Sequence, residues 1–192
     1  MTAATGVRLV QAADRAQWRA WLDENAATAD EGWLVIPHVG SGVPGVRHAE
    51  AIEEALCFGW IDSVARRHAA GSWRQRFGPR NPRSAWSKVN RELVERLTER
   101  GLMTPAGQAA IDLARRTGTW TLLAAAQDGV VPDDLRAQLA ADPVADAHFA
   151  AFARSARRAA LEWIARAKRP ETRQRRIART VECAARGVRP TG

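Results

Sequence analysis

Residues 60–77 read WIDSVARRHAAGSWRQRF, and this stretch decides the fold. The segments 60–67 and 73–77 look like two strands, and the interval 68–72, around Gly71, has turn composition. Two such runs about a short glycine-bearing turn predict a β-hairpin. Upstream, Gly32-Trp33-Leu34-Val35-Ile36-Pro37 is an apolar run closed by proline, which predicts a short buried strand. The segment 40–45 that follows, with three glycines in six residues, is a flexible loop. Residues 48–58 then carry an apolar stripe, Ala51, Ile52, Ala55 and Leu56, at helical spacing. Glu50, Glu53 and Glu54 load the first half of that helix with negative charge, which suits its positive end, and Gly59 stops it. Asp14-Arg15-Ala16-Gln17 starts an earlier helix that places Trp18, Trp21 and Leu22 on one face.

Beyond the hairpin the pattern is helical. Ser84 caps a predicted helix running to about residue 100, with Trp86, Val89, Leu93 and Leu97 on one face and Gly101 after it. Thr104-Pro105 and Asp142-Pro143 each pair a capping residue with proline at the first helical position. Gly118 closes the first of these helices, and Phe149 and Phe152 fall on the inner side of the second. Leu161, Trp163 and Ile164 carry the next helix, Pro170 interrupts it, and Ile177, Val181, Ala184 and Ala185 mark the last, ended by Gly187. The expected fold class is α+β: a small antiparallel sheet packed with helices, followed by a helical C-terminal region. The expected division is 1–126, an α+β domain with the hairpin, and 127–192, a basic helical region packed on it as a single compact unit.

Composition narrows the function classes. The chain has 192 residues, 46% apolar and 26% charged, as an ordinary globular protein does. No apolar run approaches the ~18 residues of a membrane span. Residues 1–13 show no charged start followed by an apolar block, so no secretory signal is read and a cytoplasmic protein is expected. Cys57 and Cys183 lie far apart with no CxxC, the pattern of two reduced thiols. His38, His48, His68 and His148 include no i,i+4 pair, so no metal centre is expected. Dinucleotide, Walker, GxSxG and HExxH motifs are all missing, and no cofactor is expected. The net charge of +8 belongs to residues 154–192, where eleven Arg and Lys168 face only Glu162, Glu171 and Glu182. Such a tail opens a nucleic-acid reading. Of the 29 cations only Lys88 and Lys168 are lysines, a bias that also fits solvated helix faces written in G+C-rich codons.

Three constellations carry chemistry. The first, residues 79–90 (PRNPRSAWSKVN), leaves a strand, turns through two prolines and enters the predicted helix. Arg80, Arg83 and Lys88, with the hydroxyls of Ser84 and Ser87, surround that helix's N-terminus and outline an anion site. Arg80 offers a bidentate fork and Trp86 a flat wall. The bland alternative is an ordinary capped helix whose arginines pair with nearby acids. In the second, residues 54–63 (EALCFGWIDS), Trp60 and Asp62 fall on one face of a strand. An indole beside a carboxylate can floor a pocket, and Asp62 is a candidate general base; equally it can pair with Arg74 or Arg80 structurally. The third, residues 167–177 (AKRPETRQRRI), sets Arg173 and Arg176 on one helix face, as contacts for a phosphate or acidic patch, or as a salt-bridged solvated face.

Taken with residues 101–107 (GLMTPAG) between them, these three blocks resemble the YdeI-like, OmpD-associated family, also called bacteriocin-protection. The resemblance covers about residues 18–190. It implies a bacterial α+β protein with a helical C-terminal region and a loose association with stress or antimicrobial resistance. It supplies no catalytic residues. Where it implies a Lys-rich C-terminal helix, this chain is almost purely Arg.

The leading expectation is a ligand-binding protein whose pocket lies between the hairpin and the helix begun at Ser84. Trp60 and Trp86 wall it, Arg80, Ser84, Ser87 and Asn90 hold an anionic or carbonyl group, and Asp62 orients a donor. The alternative is a cofactor-independent enzyme in the same pocket, with Asp62 as proton acceptor and Arg80 stabilising developing charge. A third reading is a nucleic-acid or acidic-protein binder acting through Arg173, Arg175, Arg176 and Arg179.

Overall fold

Strand β1 (Leu9–Val10) opens the computed structural model, which describes residues 9–190. Asp14 then accepts a hydrogen bond from the Gln17 N–H at 2.9 Å and starts helix α1 (Arg15–Asn25) at the residue the sequence marks. Strand β2 (Gly32–Pro37), helix α2 (His48–Cys57) and the hairpin strands β3 (Trp60–Ala69) and β4 (Ser72–Pro79) follow. Helices α3 (Lys88–Glu99) and α4 (Pro105–Arg116) come next. The remainder is helical: α5 (Ala124–Gln127), α6 (Asp133–Ala140), α7 (Pro143–Ala151), α8 (Arg154–Ala165) and α9 (Pro170–Ala185). The α+β class is as the sequence implies.

The sheet order is β1-β2-β4-β3. β4 pairs antiparallel with both β2 and β3, but β1 pairs parallel with β2, so the sheet is mixed and not wholly antiparallel. The two residues of β1 are too few to show a period, and its partner is reached by crossing over through α1. Residues gather into two compact units. One comprises Met1–Ser84 with Asn90–Arg116, the other Ala85–Val89 with Thr117–Gly192.

In the first unit, Leu34, Ile36 and Phe77 of the sheet and Trp18, Leu22, Ala51, Ala55 and Leu56 of α1 and α2 are all buried. Removing each large apolar side chain from water contributes roughly 1.5–3 kcal/mol. The Trp18 indole lies 5.3 Å from Phe77 and donates its N–H to the Ala51 carbonyl at 3.1 Å, which joins α1 to α2. Glu54 does more than load the helix with charge: it is 2% exposed, receiving Arg15 Nε at 2.5 Å and Arg19 Nη1 at 2.6 Å from α1. Arg19 also donates to the Leu102 carbonyl at 3.0 Å, fixing the link between α3 and α4.

Two glycines are required by geometry. Gly59 turns the chain from α2 into β3 at φ +73°, the left-handed region that side chains resist. Gly107 in α4 lets that helix lie on α2: a Cβ there would stand 2.1 Å from the Cys57 carbonyl oxygen. Thr104 Oγ1 donates to the same carbonyl at 2.7 Å.

The helix after the hairpin begins at Lys88, four residues later than Ser84. The polar groups expected to cap it close a turn on Asn81 instead. Asn81 Oδ1 accepts the Arg83 N–H at 2.8 Å, and Ser84 Oγ donates to the Asn81 carbonyl at 2.7 Å. Val89 is 68% exposed, so the buried face is Val94 and Leu97. In the second unit, Leu135, Leu139, Phe149, Leu161, Ile164 and Ile177 from α6 to α9 form one apolar core. Asp142 caps α7 as expected, accepting from the Val144 and Ala145 N–H groups. Among the described residues no helix is long and apolar enough to cross a membrane.

Replacing Gly107 by Ala is expected to lower stability by about 2 kcal/mol or more, because the clash is with backbone. Denaturant unfolding of the variant measures it; an unchanged midpoint would contradict the close approach of α4 to Cys57.

Candidate functional site

Helix α2 and strand β3 run back to back about the Gly59 turn, and this sets one titratable corner. His48, the first residue of α2, brings Nε2 to 3.9 Å from Asp62 Oδ2. Its ring also meets Trp73 of β4 edge-on, centroids 5.0 Å apart. Asp62 is half-buried and lies opposite Phe77. Arg80, just past β4, donates its backbone N–H to the Gly59 carbonyl at 2.9 Å. Burial lowers its guanidinium pKa to about 10, against the opposing pull of the Asp62 charge. Sequence reasoning found Asp62 and Arg80 and missed His48, whose approach to Asp62 is set by the packing of α2 on β3.

A cleft of about 720 Å³ opens beside this corner. Its rim is the glycine loop after β2, and its walls include Ile36, Pro37, Val43, Arg47, His48 and Trp73. The lining is mainly apolar, with His38, Ser41, Arg47 and His48 as polar groups. Arg47 stays largely in solvent, 3.6 Å from Glu50.

The other residues singled out by sequence are placed as follows. Trp60 is 1% exposed and donates its indole N–H to the Ala26 carbonyl at 3.2 Å. Trp86 is 2% exposed, belongs to the second unit, and packs on Trp120 with centroids 4.9 Å apart. Its backbone N–H reaches the Thr119 carbonyl at 3.1 Å. Ser84 and Arg83 close the Asn81 turn. Ser87 and Asn90 are half-buried and fall in different units. Lys88 gives its backbone N–H to Gln127 Oε1 at 2.7 Å and its Nζ to Asp128 at 2.8 Å. Cys57 is fully buried, and desolvation, reinforced by the Glu54 charge, pushes its thiol pKa up. That is the opposite of what a nucleophile needs.

The basic C-terminal helix spends much of its charge internally. Arg173 grips Asp134 of α6 through Nε at 2.6 Å and Nη2 at 2.9 Å. Arg176 donates to the Trp163 carbonyl and lies over the Trp163 ring, 5.1 Å from its centroid. Arg179 pairs with Glu182 at 2.8 Å, while Arg175 is exposed.

The two units correspond to two family matches. Residues 10–110 match a domain of unknown function, DUF8412, and residues 128–187 match the family described as Bacteriocin-protection, YdeI or OmpD-Associated. The first spans just over half of the chain, which belongs to that DUF8412 family; its C-terminal region is a member of the YdeI/OmpD-associated family. Of the three blocks quoted from the sequence, the first two fall within the DUF8412 match and only 167–177 within the other. No curated protein and no solved structure matches the chain.

The Arg173 pair makes stability depend on pH. Hydrogen bonding to Arg173 holds the Asp134 carboxyl below its ordinary pKa. A depressed folded pKa stabilises above the unfolded value, near 3.9, and the gain disappears as pH falls through the lower folded value. Replacing Asp134 by Asn is expected to cost about 0.5–1 kcal/mol, for a half-exposed pair, at neutral pH. Urea titrations should show the wild-type advantage constant above about pH 5 and shrinking below about pH 4. An advantage independent of pH would contradict this role.

Proposed function

We infer that this protein binds a small molecule in the cleft between the glycine loop and the His48–Trp73 wall, as part of a stress or antimicrobial-resistance response inside the bacterial cell. The cleft carries the reading. It has the size of a small-ligand site, a mainly apolar lining and a few polar groups, the usual composition of such sites. The ligand this suits has a flat apolar body against Trp73 and Ile36 and an anionic or carbonyl end near Arg47 and His48. Asp62 stands behind His48, 3.9 Å from its Nε2, and orients the ring. Trp60 and Trp86, being buried, serve as core. The family name, bacteriocin-protection, supports the resistance part of the reading.

A catalytic use of the same corner is the second reading, favoured by the Asp62 carboxylate 3.9 Å from an imidazole and within electrostatic reach of a desolvated guanidinium. Asp62 would accept the proton and Arg80 steady the developing charge. With a substrate in hand, Asp62→Asn should lose turnover and keep its melting temperature; a variant that unfolds would mark Asp62 as structural.

Binding is tested with anilinonaphthalene sulfonate, an apolar fluorophore with an anionic end. The folded protein should enhance its fluorescence saturably. Ala49→Trp, at an exposed position on the cleft wall, should abolish the enhancement with the melting temperature unchanged. Equal enhancement by wild type and variant would remove the cleft from consideration.

A further inference from the structure

The second unit contains a cavity of about 290 Å³, more enclosed than the cleft, with Val131, Phe149 and Leu161 at its apolar floor. Its wall is made by Arg154, Arg157 and Arg158, three cations within the first five residues of α8. This placement works against stability. A helix N-terminus carries about half a positive charge and favours acids, yet the first turn of α8 holds none. Three guanidiniums on one short arc also repel one another. The cavity's own acid, Asp128, is engaged by Lys88 Nζ at 2.8 Å. Glu162, one turn along from Arg158, is shared among Arg158 at 3.9 Å, Arg166 at 3.4 Å and the Gln127 amide at 3.2 Å. Arg157 is braced, donating Nη1 to the Ala150 carbonyl at 3.2 Å, so its remaining N–H groups have a fixed direction. The α8 arginines thus outnumber the acids available to them, and they do so around a hollow with an apolar base.

We propose that this cavity is a binding site for a small organic phosphate, whose oxyanion is held by Arg154, Arg157 and Arg158 and whose apolar group rests on Val131, Phe149 and Leu161. Guanidinium groups match phosphate oxygens in charge and in fork geometry. At about 290 Å³ the cavity lies at the small end of ligand sites, which restricts the guest to a compact molecule. The bound dianion offsets both the repulsion among the arginines and their conflict with the helix dipole. The site lies within the segment that matches the YdeI/OmpD-associated family and is separate from the cleft of the first unit.

Calorimetric titration of the whole protein with phenyl phosphate tests this, with inorganic phosphate and benzyl alcohol as probes lacking the apolar or the anionic part. Phenyl phosphate should bind with one-to-one stoichiometry, inorganic phosphate more weakly, and benzyl alcohol not at all. Arg154→Ala and Arg158→Ala should each weaken phenyl phosphate by about tenfold or more, since a charge-assisted hydrogen bond is lost. Arg166→Ala, with the same charge change at the far end of α8, should leave affinity within about twofold. No binding by wild type, or equal weakening by all three variants, would overturn the site; the second outcome would reduce it to a general attraction of anions to a basic surface. Failure here leaves the cleft reading intact, because Ala49→Trp reports on that site alone.

Discussion

The first unit depends on one buried carboxylate. Glu54 sits almost wholly out of water and is held by Arg15 and Arg19, one turn apart on α1. A buried charge is costly to desolvate, so such a cluster adds less to stability than its short distances suggest. It does fix position: with the Glu54 carboxylate buried, α2 has one alignment against α1 in which both arginines reach it. Trp18 reinforces that alignment with its bond to Ala51, and Gly107 lets α4 close on the other side. The head of α2 then stands over β3, and His48 reaches Asp62 and Trp73. The candidate site is thus a consequence of a contact six residues further along the same helix.

Arginine chemistry divides the rest of the molecule. The chain has almost no lysine, so its cations are planar forks, and many are used as such. Arg173 clasps Asp134, Arg176 lies on Trp163, and Arg66 and Arg74 both lie over Trp33 at 5.3 and 5.2 Å. These are structural uses, and they weaken a nucleic-acid reading based on charge count alone. The arginines at the start of α8 differ because they face a cavity and outnumber the acids around it.

Local signals in the sequence were legible where local physics decides. Gly32–Pro37, the hairpin, the Asp14 and Asp142 caps and the proline-started helices all follow from periodicity and capping over a few residues. The misreadings share a different cause. Ser84 had the right chemistry for a cap, but Asn81 offered its groups a nearer partner, and the helix start passed to Lys88, whose amide is met by Gln127 from 39 residues away. Glu54 read only as one of three acids loading the helix end because its arginines lie 35 and 39 residues upstream. Trp60 and Asp62 share one face of the strand, as period-two alternation requires, yet which of them meets water is set by α1 and α2. His48 carried no motif; the packing of α2 on β3 brings it to Asp62.

The dependence of the site on Glu54 is tested most directly by hydrogen exchange on Glu54→Gln under conditions where the variant remains folded. Breaking a buried pair of this kind costs roughly 3 kcal/mol, equivalent to about a hundredfold loss of protection in the region it holds. The expected result is faster exchange in α2, from His48 to Cys57, with α6 to α9 keeping their wild-type protection. Unchanged protection across α2 would show that apolar packing alone positions the helix, and the origin assigned here to the His48–Asp62 corner would be wrong.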